Sequence, residues 1–358
     1  MEVERQHLPT LDGWRAVAIV AVVCCHAGWP TPAIAPYGAM GVSVFFALSG
    51  FLITRRLMAG GRVKLADFYR RRAFRILPPI LVYLAVAAWL GFRLRIIPMD
   101  RGQLLASLFF YRNYLTAPVP QAWYTGHFWS LAVEEHFYLF WPVLLWMAGF
   151  RRARWMAPAL ALAVAVWRAA DAHYDWIGGI NPALRGSVAR TDYRLDILLA
   201  GCTLALIWDD ARVQAVLRRI GGTGLAVGAA LAAICCQVRT PPGYLTMVAV
   251  SMALLPAATV AKPGSWVGRV LEISAIAWIG RISYSLYIWQ QMFLAPRPIG
   301  MWQRAPWNLA AVFTCAAASY YLVERPPIAL GRRLRRFKLS ASPAAVESPA
   351  RWSRESAY

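Results

Sequence analysis

The chain has 358 residues, of which 59% are hydrophobic and only 15% are charged, and its mean hydropathy is +0.45. A soluble domain is about one quarter charged. This composition therefore excludes a chain that hides its apolar surface in one globular core, and it indicates that lipid covers most of that surface. In a soluble protein the net charge of +21 would suggest binding to nucleic acid. Here the basic residues lie in short loops, and the positive-inside rule explains them without a nucleic-acid partner.

The apolar runs are continuous rather than alternating, which predicts spanning helices and not a β-barrel. We predict an all-α integral membrane protein, a bundle of about ten transmembrane helices. The transmembrane domain would cover residues 1–338, and residues 339–358, rich in Ser, Pro and Ala, would form a disordered cytoplasmic tail. The predicted spans are residues 10–29, 38–54, 76–92, 128–149, 155–170, 193–208, 221–237, 243–262, 276–295 and 306–324.

The first predicted span carries two ionisable residues, Arg15 and His26. Eleven residues at about 100° each make slightly more than three full turns, so Arg15, Ile19, Val22 and His26 share one stripe whose ends are about 16 Å apart. Ionisable groups inside a span are energetically unfavourable and indicate function. A snorkelling arginine and a structurally satisfied histidine would explain either residue alone, but the aligned pair favours function.

A basic segment, Leu65–Leu77, precedes the third span. Arg72 lies on its apolar face, while Arg70 and Arg71 point elsewhere. Arg72 and Arg75 are three residues apart on the helix and could converge on an anion such as a phosphate. A patch that meets lipid headgroups explains Arg70 and Arg71 but not Arg72.

The orientation depends on Gln103–Leu115, a 13-residue run that contains Arg112. If this run does not cross the membrane, the cytoplasmic segments carry 23 Arg and Lys residues and the outer segments carry 10. That bias places both termini in the cytoplasm and the protein in the cytoplasmic membrane. If the run crossed, Arg151–Arg154 would move outside and the bias would weaken, so we predict an interfacial or re-entrant helix there.

With the N-terminus inside, His26 is predicted to lie near the outer surface. Glu134 and Glu135 of the fourth span lie about 9–10 Å from the outer end of that span, at a similar depth. Adjacent residues point about 100° apart, so at most one glutamate shares a polar pocket with His26, and the sequence leaves open which. A histidine near its ordinary pKa suits general-base catalysis, and a carboxylate such as Glu135 could orient its ring. The alternative is a structural ion pair between helices.

The six cysteines lie inside apolar segments and show no spacing typical of a metal site or a disulfide framework. We therefore predict no metal. The six are Cys24, Cys25, Cys202, Cys235, Cys236 and Cys315.

Several short motifs occur in order along nearly the whole chain, and together they resemble the membrane acyltransferase-3 family, the O-antigen acetylase-like proteins. The motifs are Leu11-Asp-Gly-Trp-Arg15 with His26 after ten more residues, Gly41-Val-Ser-Val-Phe-Phe-Ala-Leu-Ser-Gly-Phe51, Arg72-Ala-Phe-Arg75, His127-Phe-Trp-Ser-Leu-Ala-Val-Glu-Glu-His-Phe-Tyr138, Tyr193-Arg-Leu-Asp196, Gly280-Arg-Ile-Ser-Tyr-Ser-Leu-Tyr287 and Glu324-Arg-Pro326.

The resemblance implies transfer of an acyl group, commonly acetyl, from acyl-CoA to a hydroxyl of a glycan or small natural product. Acyl-CoA would be a substrate, with no permanently bound cofactor. His26 would be essential, supported by Arg15, with Arg72 and Arg75 suited to the phosphates of CoA. The remaining motifs nominate a set of supporting residues: Ser49, Arg194, Asp196, Tyr284 and Glu324.

Two positions depart from the family pattern. Ser43 stands where the family often has Asp, and Gln290 stands where it often has His. The main alternative function is a secondary transporter, which is expected to show internal repeats and matched broken helices. A second alternative, a non-catalytic scaffold, would leave His26 and Glu135 unexplained.

Overall fold

The computed structural model describes residues 9–28, 35–115, 122–220, 243–262 and 264–331. Within them all regular structure is helical, which confirms the predicted all-α class. The predicted span 221–237 and the predicted tail 339–358 lie outside the described residues. The main helices are α1 (Pro9–Ala27), α2 (Ala35–Met58), α3 (Leu65–Ala88), α4 (Arg101–Leu108), α5 (Phe128–Tyr174), α6 (Thr191–Ile207), α7 (211–220), α8 (Gly243–Ala261), α9 (Trp266–Leu271), α10 (Ser274–Arg281), α11 (Ser283–Phe293) and α12 (Trp307–Ser319).

Three helices in the described part of the chain are long and apolar enough to cross a bilayer: Pro9–Ala27, Met40–Met58 and Leu65–Arg93. A helix of 19 residues extends about 28 Å, close to the hydrocarbon thickness of about 30 Å. The count of ten spans stays a prediction. α4 has only 8 residues and extends about 12 Å, which is too short to cross a bilayer.

The basic segment Leu65–Leu77 and the predicted third span form one helix. α3 continues through Pro78 and Pro79, and a π-helical turn, Trp89–Arg93, extends it. The 29 residues of this helix reach about 43 Å, which exceeds the hydrocarbon thickness. The helix is therefore long enough for its basic first half to extend beyond the apolar part of the membrane.

Two other helices are interrupted. α5 breaks at Gly149, where φ is 72° and ψ is 161°, a conformation that glycine adopts readily. The break lies where predicted spans 128–149 and 155–170 are separated. The predicted span 276–295, in contrast, is not continuous: α10 ends before Ile282 and α11 begins after it. α10 is packed tightly on α1, because a Cβ at Gly280 would lie 1.9 Å from the backbone oxygen of Asp12.

Glycines allow α1, α2 and α6 to pack closely. A Cβ at Gly50 would lie 2.0 Å from the carbonyl oxygen of Leu198, and one at Gly41 would lie 2.4 Å from that of Ala18. Small residues at helix contacts are the usual way to bring membrane helices together. These contacts fix α1, which carries Arg15 and His26, against the centre of the bundle.

Candidate active site

The stripe predicted on α1 faces the protein interior. Ile19 and Val22 are 0% and 2% exposed, and Arg15 and His26 lie at the two ends of the stripe. Each end meets a different group of polar side chains from other helices. These two groups are separated along α1 by about 16 Å.

The group around Arg15 is named here the arginine cluster. Its members come from α1, α2, α3, α5 and α11 and from the π-helical turn that follows α12, Tyr320–Glu324. They are close enough for their charges and hydrogen bonds to act on one another. The cluster consists of Arg15, Ser49, Arg72, Arg75, Glu134, Glu135, Tyr138, Tyr284 and Glu324.

Arg72 and Arg75 belong to the arginine cluster, but among the described residues neither is neutralised by a direct ion pair. The Arg72 guanidinium lies over the ring of Tyr138, with its carbon 3.5 Å from the ring centroid, and its Nε is buried with no hydrogen-bond partner among the described residues. The charge of Arg75 acts on both Arg15 and Glu324. Within the described part of the chain, neither Arg72 nor Arg75 forms a salt bridge.

Two carboxylates of the arginine cluster are held by hydroxyl groups. Ser49 donates its hydroxyl hydrogen bond to Glu134 at 2.7 Å, and Ser285 donates to Glu324 at 3.0 Å. Tyr284 instead donates to the carbonyl oxygen of Ile76 at 2.9 Å. Since Arg72 and Arg75 form no ion pair with the described residues, their guanidinium groups can donate to an anionic ligand, for which arginine is well suited.

Arg70 differs from Arg72 in its contacts. It forms an ion pair with Asp67, three residues earlier on α3, at 2.7 Å. Asp67 and Arg70 share one helix face, whereas Arg72 faces the ring of Tyr138. The predicted difference in direction between Arg70 and Arg72 is confirmed.

The group at the other end of the stripe is named here the histidine cluster and consists of His26, Trp123, His127, Gln290 and Gln291. The rings of His26 and Trp123 meet edge to face, with centroids 5.5 Å apart. Gln291 lies between the two histidines: its Oε1 is 2.7 Å from Nδ1 of His127, and its Nε2 is 3.5 Å from Nε2 of His26.

The predicted pairing of His26 with a glutamate is not found. Glu134 bonds to Ser49, and Glu135 lies in the electrostatic field of Arg72. Among the described residues, neither glutamate is a hydrogen-bond partner of His26. The reason is position along α5: His127, which lies in the histidine cluster, precedes Glu134 by seven residues, or about 10.5 Å of helix.

Two of the predicted supporting residues, Asp196 and Arg194, make their contacts outside the arginine cluster and the histidine cluster. Asp196 forms a buried ion pair with Arg168 at 2.9 Å, and Arg168 also donates to the carbonyl oxygen of Tyr193 at 2.7 Å. Arg194 donates from Nε to the carbonyl oxygen of Val188 at 2.7 Å. The Arg168–Asp196 pair joins α5 to α6, which is a structural role.

No sequence pattern joins His127, Gln290 and Gln291 into one group. Their exposures are 2%, 0% and 4%, and no periodicity connects α5 to α11 because the partners are 164 residues apart. A signal was present: two consecutive glutamines in the apolar run 276–295 are unusual at membrane depth, where polar side chains indicate function.

Comparison with known proteins confirms the resemblance drawn from the motifs. A family model described as an acyltransferase domain matches residues 8–323. Similar proteins include the peptidoglycan O-acetyltransferase OatA of Listeria monocytogenes, 28% identical over 90% of this chain and 56% of that protein. A second is the putative peptidoglycan O-acetyltransferase YrhL of Bacillus subtilis, 28% identical over 90% of this chain and 55% of that protein. A third is a putative O-acetyltransferase of Staphylococcus aureus, 28% identical over 79% of this chain and 50% of that protein.

The chain thus spans about half the length of these curated relatives. No solved structure matches it.

Proposed function

We propose a function from the family: the chain belongs to the acyltransferase-3 family of membrane proteins, and it acts as an O-acyltransferase. It transfers an acyl group, which we expect to be acetyl, from acyl-CoA to a hydroxyl group of a glycan. The glycan acceptor is suggested by the names of the relatives, two of which refer to peptidoglycan. A hydroxyl of a small natural product is the alternative acceptor.

The observation that carries this proposal is the arrangement of α1. Near one end of its buried stripe lie Arg72 and Arg75, which form no ion pair with the described residues. At the other end lies His26, whose buried Nδ1 has no hydrogen-bond partner among those residues. CoA thioesters have phosphates at one end of a long flexible chain and the reactive thioester at the other. Arg72 and Arg75 would bind the phosphates, and the chain would extend along the stripe to place the thioester near His26.

The proposed chemistry needs one base. A hydroxyl is a poor nucleophile at neutral pH, and His26 would take its proton while the hydroxyl oxygen bonds to the thioester carbonyl carbon. Collapse of the tetrahedral intermediate breaks the carbon–sulfur bond, and the proton passes from His26 to the departing sulfur. The products are the O-acyl ester and the free thiol of CoA.

We propose that the protein lies in the cytoplasmic membrane with ten spans and both termini inside, as the distribution of basic residues predicts. The donor is then bound from the cytoplasm, where CoA is found. If His26 lies near the outer surface, transfer takes place across the membrane.

The test uses purified protein in lipid nanodiscs with acetyl-CoA labelled on the acetyl group and soluble peptidoglycan fragments as acceptor. We expect thiol release that depends on the acceptor, and label in an ester on the glycan. A protein that neither binds acetyl-CoA nor releases its thiol with any glycan acceptor would contradict the proposal. A secondary transporter would move a solute across a vesicle membrane without either product.

A further inference from the structure

Gln290 is fully buried beside His26, yet its side chain is unsatisfied. Its exposure is 0%, and neither Oε1 nor Nε2 has a hydrogen-bond partner among the described residues. More than about nine in ten buried polar groups in proteins are paired, so a carboxamide with both ends free requires an explanation. The neighbouring Gln291 is, in contrast, well bonded through Oε1.

The contacts of Gln291 determine which nitrogen of His26 carries hydrogen. Its Oε1 accepts the backbone N–H of His127 at 3.0 Å, and a backbone N–H can only donate, so the oxygen and nitrogen of this amide are assigned. Its Nε2, a donor, therefore faces Nε2 of His26 at 3.5 Å. A neutral imidazole has one donor and one acceptor nitrogen. Nε2 of His26 is the acceptor, and Nδ1 carries the hydrogen.

Nδ1 of His26 is buried and has no hydrogen-bond partner among the described residues. The Gln290 carboxamide interacts with this ring, although no bond of normal geometry joins them. The His26 Nδ1–H is a donor and the Gln290 amide oxygen is an acceptor, and both are buried in the histidine cluster without a hydrogen-bond partner among the described residues. Neither glutamate of α5 is available for this place, because Glu134 is bonded to Ser49 and Glu135 faces Arg72.

We propose that Gln290 is the positioning residue of His26, a role that rests on the proposed transferase function. Its Oε1 accepts Nδ1–H of His26 in the reacting complex, which holds the ring in one tautomer with Nε2 as the acceptor nitrogen. The acceptor hydroxyl then takes the place of the long 3.5 Å contact that Gln291 makes to Nε2. When Nε2 takes the proton, the amide oxygen stabilises the resulting imidazolium. The principle is that of a base oriented by a second group, here an amide in place of a carboxylate.

The test compares Gln290→Met, which keeps the length of the side chain and removes both polar atoms, with Gln290→Glu, which keeps an acceptor oxygen. We expect Gln290→Met to lower kcat on the order of 10-fold or more, with KM for acyl-CoA unchanged because the arginine cluster is intact. Gln290→Glu should recover part of kcat and move the acidic limb of the kcat–pH profile to higher pH, since a carboxylate favours the charged imidazole.

His127, whose charge interacts with that of His26, is kept in both variants, so a shift of the profile is due to position 290. Unchanged acyl-CoA affinity and thermal unfolding midpoint show that a variant is folded. If Gln290→Met does not fold, Gln290→Asn, which withdraws the amide by one methylene, takes its place with the same expected loss.

The inference fails if Gln290→Met has the kcat and pH profile of the unmodified protein, or if Gln290→Glu is no more active than Gln290→Met and shows no pH shift. Either result leaves the proposed function in place. An unmodified protein that transfers no acyl group overturns the proposed function, and the inference with it.

Discussion

Gln291 on α11 contacts both His26 on α1 and His127 at the start of α5: its Oε1 accepts the backbone N–H of His127 at 3.0 Å, and its Nε2 lies 3.5 Å from Nε2 of His26. The carboxamide thus fixes the start of α5 against α11 and faces the proposed base at the same time. His26 contacts the amide of Gln291 and the ring of Trp123, and Glu134 and Glu135 lie about two turns further along α5 than His127.

His26→Ala is expected to abolish transfer while acyl-CoA binding and folding are retained. The side chain is needed for proton transfer, and loss of a general base typically reduces the rate by about 10²–10⁴-fold. The measurement is acceptor-dependent thiol release, with acyl-CoA affinity determined separately. His173→Ala is a matched control, because His173 is exposed near the end of α5. Near-normal transfer by His26→Ala would show that the polar stripe is structural.

Arg72→Ala and Arg75→Ala are each expected to weaken acyl-CoA binding. Each substitution removes a charge-assisted contact with phosphate, which contributes about 1.5–3 kcal/mol. The measurement is the Kd of acyl-CoA in nanodiscs.

Arg70→Ala is the control for this prediction, since Arg70 is already paired with Asp67 at 2.7 Å. It should change the Kd far less. Equal effects of all three substitutions would indicate a general basic patch that meets lipid headgroups, and would argue against a phosphate site.

The structure shows which parts of the site the sequence could predict. The spacing from Arg15 to His26 predicts a single buried face, and Ile19 and Val22 are buried as expected. The direction of Arg72 was also predictable, since helical periodicity fixes the face on which a residue lies.

The position of one helix along another was not predictable. Periodicity assigns Glu134 to a face of α5, but it does not say which turn of α1 lies opposite. That register depends on contacts such as the bond from His127 to Gln291 on α11, 164 residues apart. Glu134 and Glu135 therefore lie beside the arginines, about two helical turns away from the position next to His26 that the sequence predicted for one of them.

Asp196→Asn is expected to destabilise the protein, because it leaves Arg168 buried without its ionic partner. Breaking a buried pair by removing one charge typically reduces stability by about 3–5 kcal/mol. The measurement is the thermal unfolding midpoint in detergent. Replacing both residues, by Arg168→Met with Asp196→Leu, should recover much of the loss.

Arg154→Ala is the control for this ion-pair prediction. It breaks a more exposed pair with Asp210, at 3.0 Å, and exposed pairs contribute about 0–1 kcal/mol. If Asp196→Asn unfolds at the temperature of the unmodified protein, the Arg168–Asp196 pair does not hold α5 to α6.

The predicted topology places Arg151–Arg154 in the cytoplasm. A cysteine at Arg152, in a protein lacking its native cysteines, should resist a membrane-impermeant maleimide in intact cells and react after permeabilisation. A cysteine at Val188, which is 41% exposed in a loop predicted to lie outside, should react without permeabilisation. Labelling of position 152 in intact cells would contradict the predicted orientation and the non-crossing assignment of Gln103–Leu115.

Glu134→Gln and Glu135→Gln are expected to change acyl-CoA binding and to leave the kcat–pH profile in place. Both carboxyl groups interact electrostatically with Arg72, so replacing either one removes a group that opposes phosphate binding when it is ionised. We therefore expect a Kd lower by a few-fold, measured with the same binding assay. If either glutamate oriented His26 instead, its substitution would shift the kcat–pH profile and leave the Kd unchanged. The two outcomes separate a role at the arginine cluster from a role at the base.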